Sequence, residues 1–313
     1  MAQGPRSILL HEPGTGHRRV PPLRVQLRSV GGRGGVGQHG RLLAEALGRP
    51  PDGDVDVVHL NPSLRHRALL RDQVRTVRAR RAGARVVWQL HGIDPRLGAL
   101  LARTGWPGGL GPDHWVVLHE GARALVRSWG VPARRVSRVG PCARSWDLPP
   151  RHPLGPWLFL GRLDRNKAVH RLLDVTDRPV VVVGDGPTRA GLERHARLRG
   201  VDATFVGWVD DPSPWLARCA GLVLPSDQEG LPLCVLEALG SGRPVVASAV
   251  GGLPFVLPGR CLVPPGDLGA LRRALGRVED VPPATQERIR ATYAPETVAA
   301  QLMAVYEQVM ETP

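Results

Sequence analysis

Lysine is all but missing from this 313-residue sequence: Lys167 is the single one, and arginine supplies the rest of the 42 basic residues. With abundant Ala, Gly and Pro, that bias is what a GC-rich coding sequence produces. It gives no reason for the exception. Cysteine is scarce as well. Cys142, Cys219, Cys234 and Cys261 show no metal-type spacing, so a zinc framework is excluded and buried free thiols in a reducing cytoplasm are expected. No apolar run approaches 18 residues, so no transmembrane helix is expected. The apolar core of MAQGPRSILLHEPG is too short for a signal peptide. No Gly-Lys-Ser/Thr follows the glycines at 31, 32, 34, 35 and 37, which excludes a Walker phosphate loop. The eight tryptophans do not interleave regularly with arginine, so nucleic-acid binding rests on charge alone and no nucleic-acid partner is expected.

What is present is charge, glycine and short apolar runs. The net charge is +14, which suggests attraction to a polyanion. The arginines are scattered, however. The densest run, Arg75, Arg78, Arg80, Arg81 and Arg85, lies on and just after a predicted helix. It reads first as a solvated helix face and second as attraction to an anionic membrane or acceptor. Hydrophobic residues make up 42% of the chain, and 38 Gly and 31 Pro punctuate the apolar runs. The length suits two domains.

The predicted strands are Ser7–Leu10, Val55–Leu60, Val86–Leu90, Trp115–Leu118 and Val136–Val139. After the Pro-rich break at 148–153 come Trp157–Leu160, Val180–Val183, Ala203–Val206, Gly221–Leu224, Pro244–Ala247 and Cys261–Val263. Helices are predicted at Val36–Leu47, Leu69–Ala82, Gly121–Trp129, Ala168–Leu173, Arg189–Arg199, Leu233–Gly240, Leu268–Val278 and, with an amphipathic stripe, Pro295–Glu311. Short continuous apolar strands joined by helices indicate parallel sheets covered on both faces. The reading is α/β: one doubly wound domain over 1–150, a second over 151–290, and a C-terminal helix in 291–313 packing back toward the first. Such sheets bind ligands at the carboxyl ends of their strands.

The most informative block is LVLPSDQEGLPLCVLEALGSGRPVVAS, residues 222–248. A buried strand runs into a polar loop with Glu229, Gly230 frees the backbone, and a helix opens near Pro232 with its amides pointing outward, an anion site. Glu229 and Glu237 stand eight apart. One carboxylate suits a pair of ribose hydroxyls, and the other could stabilise positive charge on a sugar ring. The competing reading makes Glu229 a helix cap and Glu237 a solvated residue. Gly184, Asp185 and Gly186 after a strand are a structural turn or a cleft lining. His91 and His59 each follow a strand. Trp88 and Trp106 are weaker candidates for an acceptor site.

The frame PSxxEGLPLxxLEALxSGxPVVAS followed by VGGLP resembles the signature of retaining glycosyltransferases of family 4, which have the two-Rossmann GT-B fold. GRLDRNK is similar to that family's GRLxxxKG segment, and VVVGDGPTRAGLE, ATFVGWVDD and LVPPGD follow in the family's order. The resemblance is strong over about 155–267 and looser in the N-terminal half. It implies that Arg162 and Lys167, with the turn at Gly161, contact the donor diphosphate and that Glu237 holds the ribose. It places Glu229 toward the donor sugar, with the Gly230, Leu231, Pro232 and Leu233 backbone at sugar and phosphate. His91 approaches the sugar from the N-terminal domain, the loop at Gly34 and Gly35 closes on the diphosphate, and the turn at 207–209 contacts the base. Two departures stand out: Ala168 where the family has glycine, and Phe255 where VGGLPE would carry glutamate.

The implied reaction moves a sugar from a nucleotide-diphosphate sugar to an acceptor hydroxyl, on a glycan, a lipid or a small metabolite, with retained configuration. No Asp-x-Asp metal motif stands in a suitable loop, so two cations and a helix dipole are expected to replace a metal, and no cofactor beyond the sugar nucleotide is expected. The expected location is cytoplasmic, with peripheral contact to an anionic membrane as an added possibility. Two other readings are a sugar-nucleotide epimerase of the same fold and a non-catalytic sugar-nucleotide-binding protein.

Overall fold

The computed structural model describes residues 23–28, 34–48, 55–62, 66–92, 94–106 and 111–312. The predicted strand Ser7–Leu10 and the glycines at 31 and 32 lie outside them. The N-terminal half builds a parallel five-stranded sheet in the order β1-β2-β3-β4-β5. Its strands are β1 (Val25–Arg28), β2 (Val57–Leu60), β3 (Arg85–Leu90), β4 (His114–Val117) and β5 (Val136–Arg138). Neighbouring side chains on a strand point to opposite faces, and here both faces are apolar. Val58, Val86, Trp88, Trp115 and Val117 pack on one side with residues of α2 (His66–Arg81), α3 (Pro95–Thr104) and α4 (Glu120–Ser128). Val57, Val87 and Val116 pack on the other with α1 (Gly35–Leu47) and α11 (Pro295–Glu311). The last helix of the chain therefore completes the first domain. Its Val298, Leu302 and Tyr306 are fully buried there, each apolar side chain contributing about 1.5–3 kcal/mol.

The C-terminal half is a parallel six-stranded sheet in the order β11-β10-β9-β6-β7-β8. Its strands are β6 (Trp157–Leu160), β7 (Val180–Val183), β8 (Ala203–Gly207), β9 (Gly221–Leu224), β10 (Val245–Ser248) and β11 (Leu262–Val263). Connecting helices are α5 (His170–Val175), α6 (Arg189–Arg199), α7 (Ser213–Arg218), α8 (Leu233–Gly240) and α9 (Leu268–Leu275), followed by α10 (Pro283–Tyr293). The chain winds outward from β6 through β7 to β8, then crosses back to β9 on the other side. The reversal between β6 and β9 is the switch point at which such sheets open a crevice at their carboxyl edge. In the N-terminal sheet the described strands run in sequence order.

Four elements were not predicted. β1 is a four-residue edge strand whose sequence, VQLR, has no apolar run. α3 carries an Asp94 cap and a proline at its start. α7 spans six residues, and α10 buries Ile289 alone. α5 starts two residues later than predicted, because Ala168 sits in the left-handed region (φ 48°) and closes a 3-10 turn at Arg165–Lys167. α9 stops at Leu275, capped by Gly276. Pro232 is the extended cap residue of α8 and stands before its first turn.

Several weaker expectations change. Trp88 is fully buried within a cluster with Trp106, Trp115 and Trp129, so it lines no cleft. His59 is fully buried against Tyr306. Within the arginine run, Arg75 pairs with Asp72, Arg80 with Asp113, and Arg85 donates to the Thr312 carbonyl, so part of that charge serves the domain itself. Cys142 and Cys219 are buried free thiols, pushed by burial to about 12 and about 11. Among the described residues no helix is long and apolar enough to cross a membrane.

Candidate functional site

The switch point brings together the loop after β6, which holds Gly161 to Lys167, and the loop after β9, which holds Ser226 to Gly230. Glycines set how closely the first loop is braced. A Cβ on Gly184 would run into the Gly161 carbonyl, and one on Gly186 would meet the Leu163 backbone. Leu163 N–H donates to Asp185 O (2.9 Å), and Thr188 Oγ1 donates to Leu163 O (2.7 Å). The Gly184–Gly186 turn is thus a structural brace under the candidate phosphate loop.

Lys167 and Glu229 close the crevice. The Lys167 ammonium donates to both Glu229 oxygens, Oε1 at 2.7 Å and Oε2 at 2.8 Å, and Ser226 Oγ donates to Oε1 at 2.7 Å. The side chains are 19% and 6% exposed, so the pair is sheltered but reachable from the lysine side. The two loops are also tied by Asp227 N–H to Asn166 O (2.7 Å). Arg171 holds the second loop through Pro225 O and Asp227 Oδ1. Arg162 lies outside this knot: its side chain is 67% exposed and its guanidinium pairs with Asp164 at 3.0 Å.

Glu229 makes no cap bond to α8, since no side chain caps that helix. Glu237 is not solvated either; it is 2% exposed. Both parts of the competing sequence reading fail. The α8 N-terminus leaves its first amides for an outside acceptor. Leu231 and Leu233 are buried in the C-terminal core.

The N-terminal domain meets this region at three points. The start of α1 presents Gly35 to the Leu233 side chain, Gly34 preceding it with φ 104°. Gln38 Nε2 donates to Glu237 Oε1 at 2.5 Å. Burial raises Glu237 to about 7, while the Gln38 bond and the Arg144 charge oppose that rise. Gly230 touches the backbone of His91: a Cβ there would collide with the His91 carbonyl oxygen. The His91 ring bonds Asn61 Oδ1 through Nε2 at 3.0 Å and lies 4.8 Å from the His39 ring. Its pKa is held well below 6.5 by burial, then by the His39 and His59 charges, so it is neutral near pH 7. A fourth contact lies at the rim, where the Phe255 ring stacks on His119 at 5.5 Å.

The structure thus gathers Gly34, Gly35, His91, Lys167, Glu229, Gly230, Leu233 and Glu237 at one junction, with Gly161 on the edge of it and Arg162 exposed beside it. Sequence reading missed Gln38, Ser226 and Asn61. For Gln38 a signal existed: a polar residue one turn past a glycine-rich loop, facing wherever that loop faces.

Two parallel α/β domains meeting at the carboxyl edges of their sheets define the GT-B class, and solved structures agree. Anabaena HepE, crystallised in complex with UDP, superposes with a TM-score of 0.67 over 87% of this chain and 82% of its own, at 16% identity. Sucrose-phosphate synthase from Thermosynechococcus elongatus gives 0.67 over 83% and 75%, at 22% identity. Residues 157–280 match the family model described as Glycosyl transferases group 1. Curated relatives include the O-antigen chain mannosyltransferase C of Escherichia coli, 33% identical over 39% of this chain and 36% of that protein. Glycogen synthase of Mycobacterium tuberculosis (strain CDC 1551 / Oshkosh) is 36% identical over 50% and 42% respectively. The similarity thus spans less than half the length of these relatives.

Proposed function

We propose that the protein is a retaining glycosyltransferase that moves a sugar from a nucleotide-diphosphate sugar to an acceptor hydroxyl without a metal ion. The observation that carries this is the Lys167–Glu229–Ser226 knot at the switch point, beside the open amides of α8. As the glycosidic C–O bond breaks, negative charge grows on the leaving diphosphate. An ammonium has three N–H donors, and Glu229 takes two, so the third remains for a phosphate oxygen. Arg162, exposed at the mouth, adds a guanidinium fork, and the α8 N-terminus adds its dipole. Groups of this kind, fixed before the reaction, are each worth roughly 3–4 kcal/mol in the transition state.

Glu229, positioned by Lys167 and Ser226, stabilises positive charge on the sugar ring. Glu237 takes the ribose hydroxyls. In the present arrangement Gln38 occupies its Oε1, so donor entry displaces Gln38 and loosens the domain junction. His91, neutral, is oriented by Asn61 toward the sugar side. The acceptor attacks the face from which the diphosphate leaves and gives its proton to a departing oxygen. The HepE complex with UDP and glucose supports a sugar nucleotide as donor. The acceptor is a glycan, a lipid or a small metabolite. The proposed location is cytoplasmic, with α2 and its exposed Leu70 and Val74 as the face for peripheral membrane contact.

Thermal-shift screening against UDP-, GDP-, dTDP- and ADP-sugars identifies the donor class. Turnover of that donor with an acceptor, and the anomeric configuration of the product by NMR, then test the reaction. Absence of a shift with every sugar nucleotide, or an inverted product, overturns the corresponding part of the proposal.

A further inference from the structure

We propose that a cavity at the opposite end of the N-terminal sheet is a second ligand site, one that takes a small phosphate-bearing molecule. The cavity holds about 490 Å³, within the range of small-molecule pockets, roughly 300–1,000 Å³. Arg85 and His114, which border it, are the first residues of β3 and β4. His91 follows the last residue of β3, so the six-residue strand separates the cavity from the interdomain junction by about 20 Å. It therefore belongs to neither the donor crevice nor the domain interface.

Its charge is unbalanced. Among the described residues, Arg80, Arg85, Arg134 and Arg135 border it against one carboxylate, Asp113. That carboxylate is already engaged: Oδ1 accepts from Arg80 (2.9 Å) and Oδ2 from the Val86 N–H (2.7 Å). Arg85 and Arg135 are held by neutral carbonyls, Arg85 by Thr312 O at 2.7 Å and Arg135 by Asp113 O at 2.7 Å and by Pro112 O. These bonds fix the guanidiniums in place and cancel none of their charge. Arg135 is also pushed below its ordinary pKa by burial; the Asp113 charge opposes that shift, and Arg80 and Arg134 add to it. Among the described residues the lining carries more positive than negative charge, which suits an anionic ligand.

A second observation is independent of charge. The Trp106 indole nitrogen is buried and has no hydrogen-bond partner among the described residues. It lies against Gly111, where even a Cβ would crowd it, and both residues line the cavity. A buried donor without an acceptor is costly, and an oxyanion oxygen satisfies it. Trp115 and Trp129 supply apolar wall, which suits a ligand with a body beyond its phosphate. The arginines that looked on sequence like a helix face thus do two jobs: Arg75 pairs within its helix, while Arg80 and Arg85 brace the domain and also line this cavity.

The test uses the full chain with 15N-labelled indole nitrogens, the Trp106 signal being assigned by its loss in Trp106→Phe. Inorganic pyrophosphate and a hexose 6-phosphate are titrated in, with the neutral hexose as control. We expect the Trp106 signal to move saturably with both phosphates and not with the hexose. Arg134 is exposed and has no ion-pair partner among the described residues, so Arg134→Ala keeps the fold and should weaken binding about tenfold or more. Movement of other indole signals with Trp106 stationary would place the anion elsewhere and overturn the proposal. So would equal affinity in Arg134→Ala, an equal response to neutral hexose, or a shift that never saturates. None of these outcomes bears on the transferase reading.

Discussion

Acid should destabilise this protein at a pH where most proteins are comfortable. Three histidines are kept neutral by the fold. His39, fully buried, is lowered to about 4 by burial. Its Nδ1 accepts the Cys142 N–H at 3.0 Å, so that nitrogen has no room for a proton. His59 is lowered to about 3 by burial and by the His39 charge. His114 is lowered to about 4 by burial and by Arg135. His91 shifts in the same direction. In the unfolded chain each titrates near 6.5. Between 6.5 and the folded value the unfolded state binds a proton that the folded state refuses. The stability these groups confer is therefore complete above 6.5 and is lost as pH falls toward 4. The loss is about 1.4 kcal/mol per pH unit per histidine, or ~2 kcal/mol each at pH 5.

Glu237 opposes this trend. Its folded pKa is raised from 4.5 to about 7, so the folded state binds a proton that the unfolded state has released. Its penalty is full above 7 and is relieved as pH falls toward 4.5. Three histidines against one carboxyl leave a net loss of about 3 kcal/mol per pH unit between roughly pH 6 and 5, and His91 adds to it. Against a typical total of about 5–15 kcal/mol, a loss of this size is a large fraction of the stability, so the protein should be clearly weaker at pH 5 than at pH 7.5. Guanidinium midpoints measured by circular dichroism at pH 7.5, 6.5, 5.5 and 5 check it, and Glu237→Gln should steepen the fall. A midpoint that stays flat or rises from pH 6.5 to 5 would refute the reasoning, because it would mean that the buried rings accept protons in the folded state.

Substitutions centred on Lys167, Gly230 and Ala168 give further tests. Lys167→Ala should lower turnover about a hundredfold or more and, by leaving Glu229 buried with only Ser226, destabilise the fold by about 3 kcal/mol; adding Glu229→Gln should recover most of that stability in urea melts, and Lys167→Arg should also be clearly impaired. Gly230→Ala places a methyl against the His91 carbonyl, so turnover should fall tenfold or more, as ~1.4 kcal/mol per decade implies, with the domains splayed in small-angle scattering and secondary structure unchanged. Ala168→Gly relieves about 1–2 kcal/mol of left-handed strain against about 0.8 kcal/mol for a buried methyl, so thermal melts should show it neutral to stabilising, whereas Ala168→Val should be destabilising.

Legibility from sequence followed the physics of each element. In the C-terminal sheet β6, β7, β9, α6 and α8 were read to the residue, because each is a continuous apolar or amphipathic run bracketed by glycine, proline or charge. β1 failed that test: an edge strand needs only one neighbour and half an apolar face, and VQLR shows no more than that. α10 failed for a related reason, since a helix that buries only Ile289 displays little periodicity and depends on packing against α8. α3 did announce itself: Asp94 accepts from the Arg96 and Leu97 N–H groups and proline follows it, a start signal that outweighs the glycine at 98. The Trp88 cluster was out of reach, because which face of β3 meets which helix is decided by register across three strands.

The site was legible in composition and not in connection. Glu229, Glu237 and Lys167 stood out as residues, yet nothing local says that Lys167 spends two of its three N–H donors on Glu229, 62 positions away, or that Gln38 reaches Glu237 across 199. Those contacts also alter the reason for the lone lysine. From sequence, the only reason is the family resemblance, which puts Lys167 at the donor diphosphate, where a compact ammonium acts as a point charge. In the structure it satisfies a sheltered carboxylate with two donors, and the proposed reaction gives the third to a phosphate oxygen. A guanidinium pairs with a carboxylate edge to edge in one plane, which would pull its remaining donors into that plane. The tetrahedral ammonium directs its third N–H away from Glu229. On the proposed reaction, a chain under pressure toward arginine can write it everywhere except at the one position where a cation would serve an internal anion and an incoming one at an angle to it.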